Sequence, residues 1–161
     1  MKKVLFFSVC SVLALFSCKK DGSSPSTISA DVNGTPETFN TNAAAVSLIS
    51  GGFNNLTVSG FSGAASSSDE IDVTVGGANA IGTGTFVFNP TDGSDGAVML
   101  LKLAGGASFR VNPAASKPLS VTISSITAST VQGTFSGSLY SINGTDTTFK
   151  TVTNGQFSAN Y

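Results

Sequence analysis

Residues 131–140 read Val-Gln-Gly-Thr-Phe-Ser-Gly-Ser-Leu-Tyr, and this stretch decides the fold. Apolar or small residues stand at every second position, with polar residues between them. Because alternate side chains of an extended chain point to opposite faces, this period of two predicts a long β-strand with one buried face. Gly133 and Gly137 flank the inward-facing Phe135, and we expect them to leave room for its ring or for a side chain from a neighbouring strand.

The same alternation recurs before this stretch, for example in residues 71–75 and 119–123. Turn signals separate the alternating runs. Asn33-Gly34 and Asn143-Gly144 are the strongest of them, because both residue types tolerate positive φ. About ten short strands, with a turn about every 8–12 residues, predict a single all-β domain over residues 28–161. We expect an antiparallel β-sandwich or a partly open barrel.

The most continuously apolar run of this domain is Val-Met-Leu-Leu-Lys-Leu at residues 98–103. Such a run predicts the most central strand of the sheet. A buried helix is the alternative, but the run is short and glycines bound it. The other place for helix is a segment of one or two turns around residues 113–117.

The N-terminus has the pattern of an export signal. Lys2 and Lys3 precede an apolar run over residues 4–16, followed by Ser17 and Cys18. A membrane-spanning helix needs about 20 apolar residues, so the run is too short to cross a bilayer. A positive start followed by a short apolar core instead predicts a secretory signal peptide.

The end of that run, Leu-Phe-Ser-Cys at residues 15–18, resembles a bacterial lipobox. The resemblance implies a lipoprotein signal peptide at residues 1–17 and lipid attachment, including acyl chains such as palmitate, at Cys18. One acyl chain binds a membrane only marginally, whereas two or three chains anchor a protein stably. The alternative is a buried thiol, but the polar residues 19–22 offer nothing to bury Cys18. Residues 18–27 would then form a lipidated, solvated tether rich in Ser, Gly and Pro.

Several short motifs carry a second resemblance. They are residues 131–140, Val-Thr-Asn-Gly-Gln-Phe at 152–157, the terminal Tyr161, Val-Asn-Gly-Thr at 32–35 and Gly-Thr-Phe at 84–86. Together they resemble a family of small Bacteroidetes lipoproteins with a domain of unknown function. The resemblance spans most of the domain and implies an all-β fold in the cell envelope. It carries no catalytic residues.

The residues after Cys18 bear on the location. Lys19 stands where lipoproteins retained at the inner membrane of other Gram-negative bacteria have Asp, which implies an outer-membrane anchor. Lys19-Lys20-Asp21 resembles the Lys-plus-acidic export tag of Bacteroidetes only in part. The periplasmic and surface faces of that membrane therefore both stay open.

Composition argues against several classes of function. The chain has no His and no Trp, which removes His-based catalysis, most transition-metal sites and the commonest sugar-stacking ring. A net charge of −1 gives no electrostatic footprint for nucleic acid. Of the two cysteines, Cys10 lies in the signal peptide and Cys18 would carry lipid, so no disulfide is expected. We expect no enzyme activity, no cofactor and no metal.

The remaining catalytic candidates lack partners in the sequence. Asp69, Glu70 and Asp72 could supply carboxylates for glycoside hydrolysis, which needs two at a set separation. Neighbours on a strand point to opposite faces, so Asp69 or Glu70 would need a remote partner, and a solvated strand start is the simpler interpretation. A Ser-Lys dyad would require an S-x-x-K spacing that is absent at Lys102, Lys117 and Lys150.

Three features could instead bind or carry a ligand. Residues 92–96, Asp-Gly-Ser-Asp-Gly, could offer oxygens to Ca²⁺, but they lack the alternating carboxylates and distal Glu of an EF-type loop, which favours a polar turn. Tyr140 lies on the polar face of its strand and could stack on a sugar, or pack across the strands. Asp146-Thr147-Thr148 resembles the acceptor for O-glycosylation in Bacteroidetes.

These observations predict a lipid-anchored envelope protein whose domain is a non-catalytic binding module for glycan or protein. Its expected partners are the membrane, through the lipid, and a surface glycan or protein, but not nucleic acid. The alternatives are a passive structural component of the envelope and a carboxylate-based hydrolase.

Overall fold

The computed structural model describes residues 24–64, 67–88, 96–111, 119–142 and 149–161. Within them 72% of the residues lie in strands and none lies in a helix, so no helix of these segments is long and apolar enough to cross a membrane. The strands are β1 (Thr27–Val32), β2 (Thr35–Thr38), β3 (Thr41–Ser50), β4 (Phe53–Phe61), β5 (Glu70–Gly77), β6 (Gly84–Val87), β7 (Gly96–Lys102), β8 (Ser108–Val111), β9 (Ser120–Ile126), β10 (Thr130–Ser141) and β11 (Phe149–Asn160).

The strands form one antiparallel sheet that curls into a half-barrel, which confirms the all-β prediction and its partly open barrel form. Nine strands follow the order β2-β1-β11-β10-β8-β7-β5-β4-β3. Strand β10 pairs with β11 along one edge and with two strands along the other, β9 beside residues 131–136 and β8 beside residues 139–141. Because β6 pairs in turn with β9, the sheet branches at β10.

The core lies on the concave side, and β10 and β11 approach each other closely there through glycines and aromatic rings. A Cβ placed on Gly133 would lie 2.5 Å from Cζ of Phe157, and one placed on Gly155 would lie 2.6 Å from the ring of Phe135. The centroids of these two stacked rings are 6.4 Å apart. Gly133 leaves room for Phe157 and Gly137 for Leu119, which confirms the prediction that these glycines accommodate a neighbouring side chain. The ring of Phe135 itself lies over a glycine of β11, Gly155.

The turn at Asn33-Gly34 is also confirmed. Its residues have φ values of 51° and 81°, and they join the antiparallel strands β1 and β2. Two consecutive positive φ angles are what a two-residue hairpin turn requires, and Asn and Gly tolerate them best. The predicted turn at Asn143-Gly144 and the helix around residues 113–117 lie outside the described residues.

The apolar run at residues 98–103 forms an interior strand, β7, between β5 and β8, and not a helix. Its burial nevertheless alternates, because Met99 and Leu101 are buried while Val98 is 49% exposed. The continuous apolar run therefore does not mean that β7 is buried on both faces. Its outward side chains add apolar area to the outer surface of the half-barrel.

The domain begins slightly earlier than residue 28. Strand β1 starts at Thr27, and the two serines before it are held by the end of β11. The backbone N–H of Asn160 donates a hydrogen bond of 2.9 Å to Ser26 Oγ. The side-chain Nδ2 of the same residue donates one of 2.8 Å to the Ser24 carbonyl. The last residues assigned to the tether therefore pack on the sheet. Residues 1–23, with the predicted signal peptide and Cys18, lie outside the described residues.

We expect Gly133→Ala and Gly155→Ala each to lower the free energy of unfolding by about 1–3 kcal/mol, because the added methyl group overlaps a buried ring and a strand carbonyl. Urea denaturation measures the change. The matched control is Gly105→Ala, since a Cβ placed there has no atom within 4 Å. Equal urea midpoints for the core variants and this control would contradict the packing argument.

Candidate binding surface

A row of five side chains crosses the outer surface of five neighbouring strands. Direct cross-strand pairs link each residue to the next, from β5 through β7, β8 and β10 to β11. We call this set the outer row; its members are Asp72, Leu100, Arg110, Tyr140 and Phe149. Directly opposed residues point to the same face of a sheet, so all five share the convex side.

The centre of the outer row is a fixed pair of Arg110 and Tyr140. Arg110 Nε donates a hydrogen bond of 2.7 Å to the Tyr140 hydroxyl, and the guanidinium carbon lies 5.3 Å from the centroid of the Tyr140 ring. The side chain of Arg110 therefore holds the tyrosine in place and, within the described part of the chain, uses one of its five N–H donors. The terminal nitrogens have no hydrogen-bond partner among the described residues, which leaves their donors for a ligand.

Apolar groups continue the row on both sides of this pair. Phe149 stands directly opposite Tyr140 and is 58% exposed. On the other side Leu100 is half-buried next to Arg110, and Val98, two residues earlier on the same strand, is exposed. The exposed ring of Phe149 thus lies beside a tyrosine and a fixed guanidinium, and the three side chains form one continuous group on the outer surface.

Asp72 closes the row at its acidic end. Burial against the neighbouring strands raises the pKa of the Asp72 carboxyl, the negative charge of Glu70 raises it further, and Lys102 opposes both. Lys102 Nζ lies 3.8 Å from Glu70 Oε2, so these two side chains form a surface ion pair beside Asp72. The outer row thus has a positive centre and a carboxylate whose ionisation is disfavoured.

The three carboxylates noted in the sequence do not gather around a common point. Asp69 Oδ1 accepts a hydrogen bond of 2.7 Å from the Ala104 amide, which fixes a loop between β7 and β8. Glu70 pairs with Lys102, and Asp72 belongs to the outer row. No group of three His, Cys, Asp or Glu side chains in the described segments could hold a metal ion.

A set of charged residues from distant parts of the chain interacts around Glu37. Burial raises the pKa of the Glu37 carboxyl, and the negative charge of Asp69 raises it further. The positive charge of Lys150 opposes both effects. Lys150 Nζ also lies 5.5 Å from the centroid of the buried Phe109 ring. These residues come from β2, β8 and β11 and from the segment before β5, so no local sequence signal connects them.

The outer surface carries a second, uncharged row on the other branch of the sheet. Cross-strand pairs connect one hydroxyl or amide side chain from each of six strands. We call it the polar row; it consists of Thr85, Thr122, Thr134, Gln156, Ser29 and Thr38. The hydroxyls of Thr85 and Thr122 lie 2.9 Å apart, and shallow depressions of about 380 and 360 Å³ flank Thr134 and Gln156. This surface offers hydrogen bonds but neither charge nor an exposed ring.

The outer row brings together two candidate residues from the sequence, Tyr140 and Asp72, and two residues that were not singled out, Arg110 and Phe149. The remaining candidates lie outside the described residues: Cys18, Lys117, the Asp-containing loop at 92–95 and Asp146-Thr147-Thr148. Alternation could have placed Phe149 on a strand face. The partner of Arg110 depends on the pairing of β8 with β10, which no local pattern encodes.

We expect Asp72→Asn to raise the melting temperature at about pH 7 and to change it little at about pH 3. The pKa of Asp72 in the folded chain lies above its ordinary value of 3.8, so the folded state binds more protons between the two pKa values. The free energy of unfolding therefore decreases as the pH rises through this window. The uncharged amide side chain of the Asp72→Asn variant does not titrate, so this decrease is absent in the variant. Thermal unfolding across this pH range measures the effect.

The control for this prediction is Asp31→Asn. The Asp31 carboxylate accepts a hydrogen bond of 2.7 Å from Asn154 Nδ2, so its replacement should not stabilise the protein at about pH 7. An Asp72→Asn protein that is less stable than wild type at neutral pH would contradict the assignment.

No protein-family model, no curated protein and no solved structure matches this chain. The resemblance to small Bacteroidetes lipoproteins therefore stays a prediction from the sequence motifs.

Proposed function

We propose that this protein is a lipid-anchored protein of the outer membrane whose half-barrel is a non-catalytic module that binds a glycan through the outer row. The observation that carries the proposal is the adjacency of Arg110, Tyr140 and Phe149 on three neighbouring strands. Neither ring nor guanidinium contributes to the core, so the domain does not need them there for its own packing.

The chemistry of the outer row suits a saccharide. The apolar C–H face of a sugar ring packs against an exposed aromatic ring, and Phe149 and Tyr140 offer two such rings side by side. Arg110 can donate its remaining N–H groups to hydroxyl or carboxylate oxygens, and a charged donor gives shorter and stronger hydrogen bonds than a neutral one. A glycan that contains acidic sugars fits this set better than a neutral one.

The position of the outer row favours access to a ligand. The described chain starts at Ser24, six residues after Cys18, so an extended tether would span about 20 Å. Thr27, next to the tether, pairs with Ser158 at one end of β11, whereas Phe149 begins the other end about 30 Å away along the strand. The rings therefore lie at the end of β11 that is remote from the proposed anchor.

A passive structural role is the second candidate, and the polar row favours it. Six strands present only hydroxyl and amide groups there, without the exposed apolar area that marks many binding surfaces. This candidate predicts that no glycan binds and that no ligand raises the melting temperature.

Binding of the full-length protein in detergent to acidic and neutral polysaccharides tests the first candidate. Tyr140→Ala and Arg110→Ala are each expected to weaken binding at least about tenfold, because truncation of a central aromatic or Arg anchor costs more than about 1.4 kcal/mol. The control is Tyr161→Ala. It removes a 45% exposed tyrosine that follows the C-terminal end of β11, away from the outer row. Unchanged binding in both outer-row variants, with intact melting curves, would contradict the proposal.

The anchor is tested separately. Cys18→Ser is expected to move the protein from the membrane fraction to the soluble fraction, whereas Cys10→Ser, within the predicted signal peptide, should leave it in the membrane. Mass spectrometry of the mature N-terminus should show a lipidated Cys18. An unprocessed, unmodified chain would contradict the proposed anchor while leaving the glycan proposal to its own test.

A further inference from the structure

Strand β3 is an edge of the sheet without the usual protection. Among the described strands it pairs with β4 alone, and it ends the nine-strand path. The other edges are protected in familiar ways, since β2 carries Pro36 and Glu37 and β6 has only four residues. A long edge strand exposes a row of unpaired N–H and C=O groups, which makes it a template for another strand.

The side chains of this edge are apolar and exposed. Val46 is 48%, Leu48 is 61% and Ile49 is 76% exposed. Residues 41–50 contain no charged residue and no proline, which are the residues that natural edge strands use to prevent pairing. The bulge between Thr41 and Ala44 disturbs only the start of the strand. Residues 44–50 thus form a regular, uncharged edge of seven residues.

We propose that β3 pairs antiparallel with β3 of a second copy of this chain, about a two-fold axis at Ser47. This register sets Val46 opposite the partner subunit's Leu48, and Ala45 opposite the partner subunit's Ile49. All three exposed apolar side chains then face an apolar neighbour across the new ladder. The pairing continues the antiparallel order of β3, β4 and β5 into the second copy.

A second copy fits this edge because the segment is complementary to itself. Ser47 is the midpoint of residues 44–50, and the two-fold axis brings no charged groups together. Identical faces that meet about a two-fold axis are the commonest form of protein association. Since a seven-residue ribbon buries less than the roughly 1,200 Å² of a stable interface, we expect a weak dimer that grows with local concentration. Confinement to a membrane surface would supply such a concentration.

Cysteine crosslinking of the full-length chain in cells tests the register. Directly opposed Cα atoms of antiparallel strands are about 4.5–5.5 Å apart, within disulfide range. We expect Ser47→Cys to give a covalent dimer on non-reducing gels, with less at Val46→Cys and Leu48→Cys. Wild type, which has only Cys10 and Cys18, sets the background. Val87→Cys, at a 50% exposed site on β6, is the matched control. The proposal would be overturned if none of the three β3 variants gave more covalent dimer than Val87→Cys.

Sedimentation of the detergent-solubilised chain gives a second measurement. Leu48→Lys places two like charges near the two-fold axis and should weaken dimerisation at least about tenfold, whereas Val87→Lys adds the same charge on β6 and should not. Both variants should melt like wild type, because both side chains are exposed in one copy. A wild-type chain that stays monomeric at the highest attainable concentration, or equal loss of dimer in both variants, would overturn the proposal.

Discussion

The structure depends on two aromatic rings that lie over two glycines. Phe135 on β10 fills the space above Gly155 on β11, and Phe157 on β11 fills the space above Gly133 on β10. The exchange is reciprocal, so each strand supplies one ring and one gap. Because protein interiors tolerate neither voids nor overlap, this arrangement fixes how β10 and β11 lie against each other. A methyl group at either glycine would also collide with a strand carbonyl, of Thr122 or Phe135.

This constraint reaches the outer surface through β10. Among the described strands, β10 is the one that pairs with three others, β8, β9 and β11. The inward residues of β10 pack closely against β9 and β11, where the sheet branches. Its outward residues belong to both the polar row and the outer row. Tyr140 therefore meets Arg110 and Phe149 because the strands that carry them are the two neighbours of the same end of β10. The core sets the geometry of the candidate site.

The sequence predicts well what depends on neighbouring residues and poorly what depends on pairing. Alternation revealed β10 and its glycines, and Asn33-Gly34 revealed the first hairpin, because each signal is local. Phe149 lies opposite Tyr140, and no local signal in the sequence indicated that register. The meeting of Arg110 with Tyr140 joins strands 30 positions apart, and no periodicity encodes such a pairing.

The contacts of Asn160 with Ser24 and Ser26 affect the order in which the domain folds. Strand β1 pairs with β2 on one side and with β11 on the other, and the contact between Asn160 and Ser26 joins residues 134 positions apart. The pairing of β1 with β11 cannot form until β11 has been synthesised, and such distant pairings form slowly. The contacts between the two ends of the described chain are therefore among the last to form when the domain folds.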